Sequence, residues 1–401
     1  MTLGILYHMP FWQAADGSLW EAEGSFARYV ESLAPYFDHI VLCVPVHDRP
    51  QPSGSQLRAT NVSLAPLPFF PGPKQFYPKL LKMWPRLRAW VERCDVINLR
   101  VPSPAAYFAY RFARARRKPV FLLVVGDLQA LLPHLGYRGL TRALYSRYVA
   151  FEERALRIMT TGALTFVNGA ALRQKHEGPG RRIHETRTST LTLADIVSRT
   201  DALAGPRVRL LTVSRIDPRK GLLVLPAVVA ALRAAGTDVT LDIVGPAVGQ
   251  NGEAERDAIT GEAKLLGIGD DVRFRGAIAL DQLLPLYREF DVFVLPTKPG
   301  EGIPRVLLEA MANGLPVVTT EVAGIGSLIT HERNGLLVDG RSAPAIAAAV
   351  TRLIEDAGLR RRLIESGYET ACAHTIERQA EQMMSTVAAE LGLTLRRRPA
   401  A

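Results

Sequence analysis

Apolar positions along this chain of 401 residues follow two rhythms. Short, nearly continuous apolar runs occur at Leu3–Tyr7, His39–Pro45, Val96–Leu99, Val120–Val125 and Ala163–Val167. Longer stretches with helical spacing lie between them, as at Gly24–Tyr36 and Ser103–Arg116. The second half repeats the pattern, with runs opening at Val208 and at Val239–Pro246, Val272–Gly276, Asp291–Leu295 and Pro316–Thr320. Short apolar runs bounded by Gly and Pro read as strands, and strands alternating with helices read as parallel sheets. The last stretch, Ile376–Leu391, has Ile376, Ala380, Met383, Met384 and Val387 on one side of a helix. The length suits two domains of ordinary size, and an apolar content of 48% can fill two cores. The expected class is α/β.

One stretch carries chemistry beyond the pattern: Lys298-Pro-Gly-Glu-Gly-Ile-Pro-Arg-Val-Leu-Leu-Glu-Ala-Met-Ala-Asn-Gly-Leu-Pro-Val-Val318. It predicts a Pro/Gly-rich loop after the strand Asp291–Leu295, a helix with Pro304 as first helical residue, a stop at Gly314 and a new strand. Glu301 falls in the loop and Glu309 in the first two turns of the helix. Both can then face one ligand at the carboxyl end of a parallel sheet, where α/β proteins bind ligands. The alternative is an ordinary solvated helix face, since Glu and Ala are common helix formers. The glycines that frame Glu301 favour the functional reading, because a carboxylate on such a loop is rarely there for stability.

Glu301-Gly-Ile-Pro-Arg-Val-Leu-Leu-Glu309-Ala-Met-Ala312 resembles the signature of the retaining glycosyltransferases of family 4, which have the GT-B fold: two Rossmann-like parallel-sheet domains facing a central cleft. The resemblance is strongest over residues 208–340. It implies that Glu301 binds donor-sugar hydroxyls and Glu309 the nucleotide ribose, and carboxylates suit vicinal diols because each oxygen accepts two hydrogen bonds. It adds Gly302, Ile303, Arg305 and Val306 to the donor side. Upstream, Val208-Arg-Leu-Leu-Thr-Val-Ser-Arg-Ile-Asp-Pro-Arg-Lys-Gly221 places Arg215 and Lys220 five residues apart, as in the family, where such a pair holds the donor diphosphate. Two fixed cations near a helix start would stabilise the charge that develops on a departing diphosphate; the alternative is a solvated surface turn. The resemblance also implies donor contacts at Arg275 and Gly276, at Gly324 and Ile325, and at Gly24, where the family has two glycines and this chain has Gly24-Ser25.

The implied domains are residues 1–195, which would receive the acceptor and be completed by a helix at about 376–401, and residues 196–375, which would bind the nucleotide sugar. The first loop, His8 to Trp20, carries Trp12 and Trp20, which can stack on sugar faces or cap the core. Relatives often place a His after the strand matching Val120–Val125; here the residues are Gly126-Asp127, so Asp127 stands on the acceptor side in its place, with His134 further on. The usual Pro-Asn-Gly-Val-Asp between domains is replaced by Arg187–Asp195, and Ser327 stands where many relatives have Glu.

Charge divides the chain. Residues 1–200 hold 26 Lys and Arg against 14 Asp and Glu, whereas residues 201–401 hold 23 against 25. A basic run, Arg111-Phe-Ala-Arg-Ala-Arg-Arg-Lys118, ends a predicted helix; it either answers the helix dipole or meets anionic lipid. No nucleic-acid-binding motif accompanies the surplus. Cys43, Cys94 and Cys372 have no metal or redox spacing, which suggests reduced thiols and a cytoplasmic protein, with contact to the inner face of the membrane as an extension. The N-terminal strand does not read as a signal peptide, and no apolar run is long enough to span a bilayer.

The reading is a retaining hexosyltransferase that takes a UDP- or GDP-linked sugar and a hydroxyl of a glycan or lipid-linked acceptor, in cell-envelope or exopolysaccharide assembly. The departing phosphate would take the acceptor proton, so no protein nucleophile is expected. No cofactor or metal is implied, since Glu289-Phe-Asp291 precedes a buried strand and reads as structural. The alternatives are an epimerase or phosphorylase on the same fold, although no pyridoxal-binding lysine region is evident, and a nicotinamide-dependent dehydrogenase, although residues 1–30 lack G-x-G-x-x-G.

Overall fold

Each half of the chain folds around its own twisted sheet. The structure, a computed structural model, describes residues 1–21, 24–47, 55–70, 73–132, 138–203, 205–298, 304–322, 324–338, 342–395 and 397. Unit 1 is Met1–Thr188 with Ile376–Ala401, and unit 2 is Ser189–Thr375.

In unit 1 the strands are β1 (Thr2–Leu6), β2 (Phe11–Gln13), β3 (Leu19–Glu21), β4 (His39–Cys43), β5 (Pro45–His47), β6 (Ser55–Leu57), β7 (Val62–Leu64), β8 (Leu67–Pro68), β9 (Val96–Val101), β10 (Val120–Val124), β11 (Leu164–Asn168) and β12 (Ile183–Thr186). The helices are α1 (Ser25–Leu33), α2 (Pro73–Phe76), α3 (Leu80–Arg93), α4 (Ala106–Ala115), α5 (Leu128–Leu131), α6 (Gly139–Gly162) and α7 (Ala170–His176). The main sheet has the order β12-β11-β10-β9-β1-β4-β7 and is parallel throughout. The chain leaves β1 toward β4 and returns to β9 on the other side of β1, so the order reverses between β1 and β9. All six positions of β9 are buried, as expected of a central strand covered on both faces.

Unit 2 contains β13 (Val208–Val213), β14 (Val239–Val244), β15 (Val272–Gly276), β16 (Val292–Leu295), β17 (Val317–Thr320) and β18 (Leu336–Val338), with α8 (Leu225–Ala234), α9 (Gly249–Leu265), α10 (Leu280–Leu286), α11 (Arg305–Ala312), α12 (Ala343–Glu355) and α13 (Ala357–Ala373). Its sheet is parallel in the order β15-β14-β13-β16-β17-β18, so the reversal falls between β13 and β16. Each main sheet separates two apolar clusters. The last helix, α14 (Ile376–Leu391), buries Ile376, Ala380, Met383, Met384 and Val387 in the cluster that also contains Phe26 and Val30 of α1, and so belongs to unit 1.

Three features depart from the expected elements. The stretch from His8 to Trp20 is not a plain loop: β2 and β3 form an antiparallel hairpin, with Trp12 opposite Trp20, inside a small sheet of order β6-β3-β2-β5-β8. Its strands have two or three residues each, too short for alternation to stand out. Pro304 precedes the helix as its cap, with an extended ψ of 122°, and Arg305 is the first helical residue. The 24-residue α6 was not anticipated, because apolar and basic residues are mixed on its outer face.

Candidate functional site

The turn after β13 is built by its own residues. Asp217 caps the short helical turn Pro218–Lys220, accepting from the Arg219 N–H at 2.9 Å and from the Arg219 guanidinium at 2.9 and 2.6 Å. The Arg219 hydrogen bond is the main reason the Asp217 carboxyl is pushed down to about 2. Asp217 and Arg219 thus neutralise each other, and the positive surplus of the turn rests on Arg215, which is exposed, and Lys220, which is half-buried. Gly221 then turns the chain at φ 67°, a left-handed conformation that favours glycine.

The loop after β16 is tied to that turn. The Lys298 N–H donates to the Arg219 carbonyl at 2.8 Å, and the Thr297 hydroxyl donates to the same oxygen at 3.4 Å. The Thr320 hydroxyl at the end of β17 donates to the Thr297 carbonyl at 2.6 Å. Three neighbouring strand ends are therefore laced together at the carboxyl edge of the sheet. The loops after β13 and β16 flank the point where strand order reverses, which is where open α/β sheets leave a crevice for a ligand. On the other side of β13, Gly245 at φ 138° lets the chain cross the Ser214 carbonyl; a Cβ there would lie 1.9 Å from that oxygen.

Glu301, Gly302 and Ile303 lie outside the described residues. Glu309 sits in the second turn of α11 and is only 4% exposed. Tyr287 donates to one carboxylate oxygen at 2.9 Å, and the Thr190 hydroxyl lies 3.4 Å from the other. Burial holds the Tyr287 hydroxyl in its donor form by raising its pKa well above the usual range. Neither Tyr287 nor Thr190 was singled out from the sequence; they are 22 and 119 residues from Glu309, so no local pattern signals them.

The other donor-side positions separate into groups. Arg305 is exposed at the start of α11, and Val306 packs against the core beneath. Gly324 adopts φ 96° ahead of the turn Ile325–Ser327. The Ile325 N–H, where a donor contact was expected, instead closes that turn on the Val322 carbonyl at 3.0 Å, and its side chain is fully buried. Gly276 turns at φ 69°, while the Arg275 guanidinium lies 2.5 Å from the buried Asp242 carboxylate on the neighbouring strand. An arginine paired with a buried acid is held by the fold, which corrects the expectation of a donor contact at Arg275.

In unit 1, Gly24 caps α1 at φ 73°, and a Cβ there would sit 2.3 Å from the Ser55 hydroxyl, so strand packing alone demands glycine. Trp12 stacks on His47 with ring centroids 5.2 Å apart, and the Trp20 indole N–H donates to the Ser18 hydroxyl at 2.9 Å. Asp127 follows β10, but its carboxylate is used as a helix cap. It accepts from the Gln129 and Ala130 N–H groups at 2.9 and 3.0 Å and from the Lys175 ammonium at 2.7 Å. Burial by itself would raise its pKa; those donors outweigh burial and hold it below the ordinary value. His134 lies outside the described residues.

Sequence reasoning missed the most unusual charge in unit 1. Arg100, on β9 beside the reversal point, is 8% exposed and lies over the rings of Tyr29, Tyr7 and Phe26 at 4.6, 4.8 and 5.1 Å. His8, just past β1, is pushed down to about 4, by burial first and by the nearby Arg100 second, and so is neutral near pH 7. The basic run ends α4 as expected. Arg116 pairs with Glu92, while Arg114, Arg117 and Lys118 line a concavity of about 380 Å³ with Arg182 and Glu390. Among the described residues, no cluster of His, Cys, Asp and Glu is placed to hold a metal, and no helix is long and apolar enough to cross a membrane.

With this geometry in hand, comparison with known proteins is specific. Residues 199–370 match the family model described as glycosyl transferases group 1. A GDP-mannose-dependent alpha-(1-6)-phosphatidylinositol monomannoside mannosyltransferase of Mycobacterium tuberculosis is 33% identical over 158 residues, 38% of this chain and 40% of its own length. A D-inositol 3-phosphate glycosyltransferase of Salinispora tropica is 35% identical over 176 residues, 43% of this chain and 36% of its own length. The chain thus spans about two fifths of the length of the curated relatives it matches. Anabaena Alr3699/HepE, solved with UDP and glucose, superposes with a TM-score of 0.70 over 97% of this chain and all of its own, at 17% identity. WaaG, a glycosyltransferase involved in lipopolysaccharide biosynthesis, gives 0.66 over 96% and 99% at 17% identity. The fold is therefore that of the GT-B glycosyltransferases, and the family match over residues 199–370 falls within unit 2.

Proposed function

We propose that the protein is a retaining hexosyltransferase that moves a hexosyl group from a UDP- or GDP-linked sugar to a hydroxyl of a glycan or lipid-linked acceptor in cell-envelope or exopolysaccharide assembly. The observation that carries this reading is the lacing of the β13 turn to the β16 loop through the Arg219 carbonyl. It fixes the backbone that bears Arg215 and Lys220 beside the loop that leads, through Glu301, to the helix of Glu309. Two cations on that turn, and carboxylates suited to diols in the sequence that follows the neighbouring strand, are the groups a sugar attached to a diphosphate calls for.

In this reading unit 2 binds the donor. Arg215 and Lys220 hold the diphosphate and stabilise the charge that grows on it as the glycosidic bond breaks. Glu301, with Gly302 and Ile303, positions the sugar. Glu309, oriented by Tyr287 and Thr190, takes the ribose; Arg305, Val306, Gly324 and Gly276 frame the nucleotide. The acceptor hydroxyl attacks the same face, and the departing phosphate oxygen takes its proton, so no enzyme nucleophile forms a bond. Unit 1 receives the acceptor at the carboxyl end of its own sheet, near Gly24, Trp12 and Trp20, with Asp127 as a fixed anion at the margin. The names of the inositol-lipid and lipopolysaccharide relatives favour an envelope acceptor. The basic end of α4, Arg111–Lys118, is read as a contact with anionic headgroups on the cytoplasmic side of a membrane.

Nucleotide diphosphate release should be measured across a panel of UDP- and GDP-sugars. One donor is expected to be turned over, with retention at the anomeric carbon. Glu301→Ala and Lys220→Ala are each expected to abolish transfer without unfolding the protein. Unchanged turnover in both purified variants would refute the site.

A further inference from the structure

The outer surface of unit 1 carries a feature the transfer reaction does not use. On α6, Leu140, Leu144, Arg147, Phe151, Arg154 and Ile158 recur at intervals of four and three residues and are all exposed, with Leu140 at 77% and Leu144 at 57%. That spacing puts them on a single stripe, about 27 Å long at 1.5 Å per residue. Arg142 and Arg157 are also exposed on this helix. Its two acids do not reach the surface chemistry: Glu152 is buried, and Glu153 is paired with Lys175 at 2.9 Å.

A chain of rings continues the stripe. Phe151 meets Tyr107 on α4, Tyr107 meets Phe108, and Phe108 meets Trp84 on α3, with centroids 6.0 to 6.1 Å apart. Trp84 is 45% exposed and Leu81 beside it 88%; Lys82 and Arg86 are exposed on the same helix, as is Arg88, which pairs with Glu92 at 3.3 Å. Arg111 follows Tyr107 by one helical turn, so it joins this face, while Arg114, Arg117 and Lys118 line the separate concavity. From residue 101 to 150 the chain holds eight Lys and Arg and a single acid, Asp127.

We infer that this face, from α3 across α4 to α6, is a docking surface for an anionic lipid bilayer, lying flat in the headgroup region. The chemistry selects the occupant. Exposed Leu, Phe and Trp gain by leaving water, and the interleaved arginines gain only if the partner is negative and continuous along the helix. Trp and Tyr suit the boundary between headgroups and acyl chains, because each has an apolar body and a polar tip. The inference gives the lipid-linked branch of the acceptor reading its partner surface and rests on that branch only for its biological sense, since binding can be read with no donor present.

Purified full-length protein would be co-sedimented with phosphatidylcholine vesicles, plain or carrying about 30% phosphatidylglycerol as the anionic lipid. Binding to the anionic vesicles is expected to be at least about tenfold tighter and to weaken with salt. The pair Leu144→Glu with Phe151→Glu, and separately Arg147→Glu with Arg154→Glu, should each lose binding while circular dichroism and melting stay unchanged. Leu265→Glu, at an exposed leucine of unit 2, should bind as the parent does. Trp emission should shift to the blue on binding, and Trp84→Phe should remove most of that shift. Equal affinity for both vesicles, or α6 variants that bind like the parent, would overturn the inference. So would dimerisation in vesicle-free buffer that the α6 variants abolish, because the face would then belong to a second copy. A parent protein that hydrolyses donor but fails to bind the anionic vesicles would sink this inference alone, and one that binds them but turns over no donor would sink only the transfer reading.

Discussion

The two units place a cation at the same topological point and treat it in opposite ways. In unit 2 the reversal of strand order is flanked by Arg215, which is exposed, and Lys220, which is half-buried, on a turn whose internal charges Asp217 and Arg219 cancel each other. In unit 1 the corresponding position holds Arg100, buried among Tyr29, Tyr7 and Phe26, with His8 neutral beside it. An exposed cation on a turn can meet a charge that arrives and departs. A buried cation stacked on rings is held in place by the side chains that pack around it. The same sheet topology thus leaves cations on an open turn at the reversal in one unit and packs a cation against aromatic rings there in the other.

The largest effect is expected at the cations of the β13 turn. Lys220→Ala should lower nucleotide diphosphate release by about a hundredfold or more, the scale of losing a positioned charge stabiliser, with no change in melting temperature. Arg100→Ala should do the reverse. It should lower stability by about 1–3 kcal/mol through lost stacking and packing, read as a drop in melting temperature, and leave turnover per folded molecule unaltered. If Arg100→Ala instead abolished transfer with the melt unchanged, the contrast between the units would fail.

A buried acid sharpens the contrast from the side of stability. The Glu152 carboxyl on α6 is pushed up to about 8 by burial, against a lowering by its hydrogen bond from Tyr77. Between its ordinary value of 4.5 and about 8, the unfolded chain binds fewer protons than the folded one. Stability from this group therefore falls as pH rises through that window. Glu152→Gln should melt above the parent at pH 8, by an amount equivalent to at most a few kcal/mol, and match it at pH 4. The smallest effect is expected at Tyr287→Phe, which removes one donor to Glu309. The cost should be about 1 kcal/mol or somewhat more and should appear as a raised KM for the donor sugar with kcat nearly kept.

Much of this was legible in the chain itself. Ten of the thirteen strands of the two main sheets, all but β7, β12 and β18, the helix of Glu309 and its stop at Gly314, the spacing of Arg215 and Lys220, and the apolar side of α14 follow from residues close in sequence. What was misread shares a cause. The hairpin of β2 and β3 draws its order from pairing with β5 and β6, α6 hides its period behind exposed apolar residues, and Asp127 looked like a ligand until Lys175, 48 residues away, claimed it.

The sequence alone therefore determined the alternation that makes two parallel sheets and the local motifs at their carboxyl ends, because turns, caps and amphipathic periods are set within a few residues. Tertiary structure alone decided which charges are committed and which are exposed: Tyr287 on Glu309, the rings around Arg100, Lys175 on Asp127 and Asp242 on Arg275. Those pairings join residues that burial and sheet order bring together, and a carboxylate or guanidinium has its chemistry fixed by whatever lies within about 3 Å of it in space.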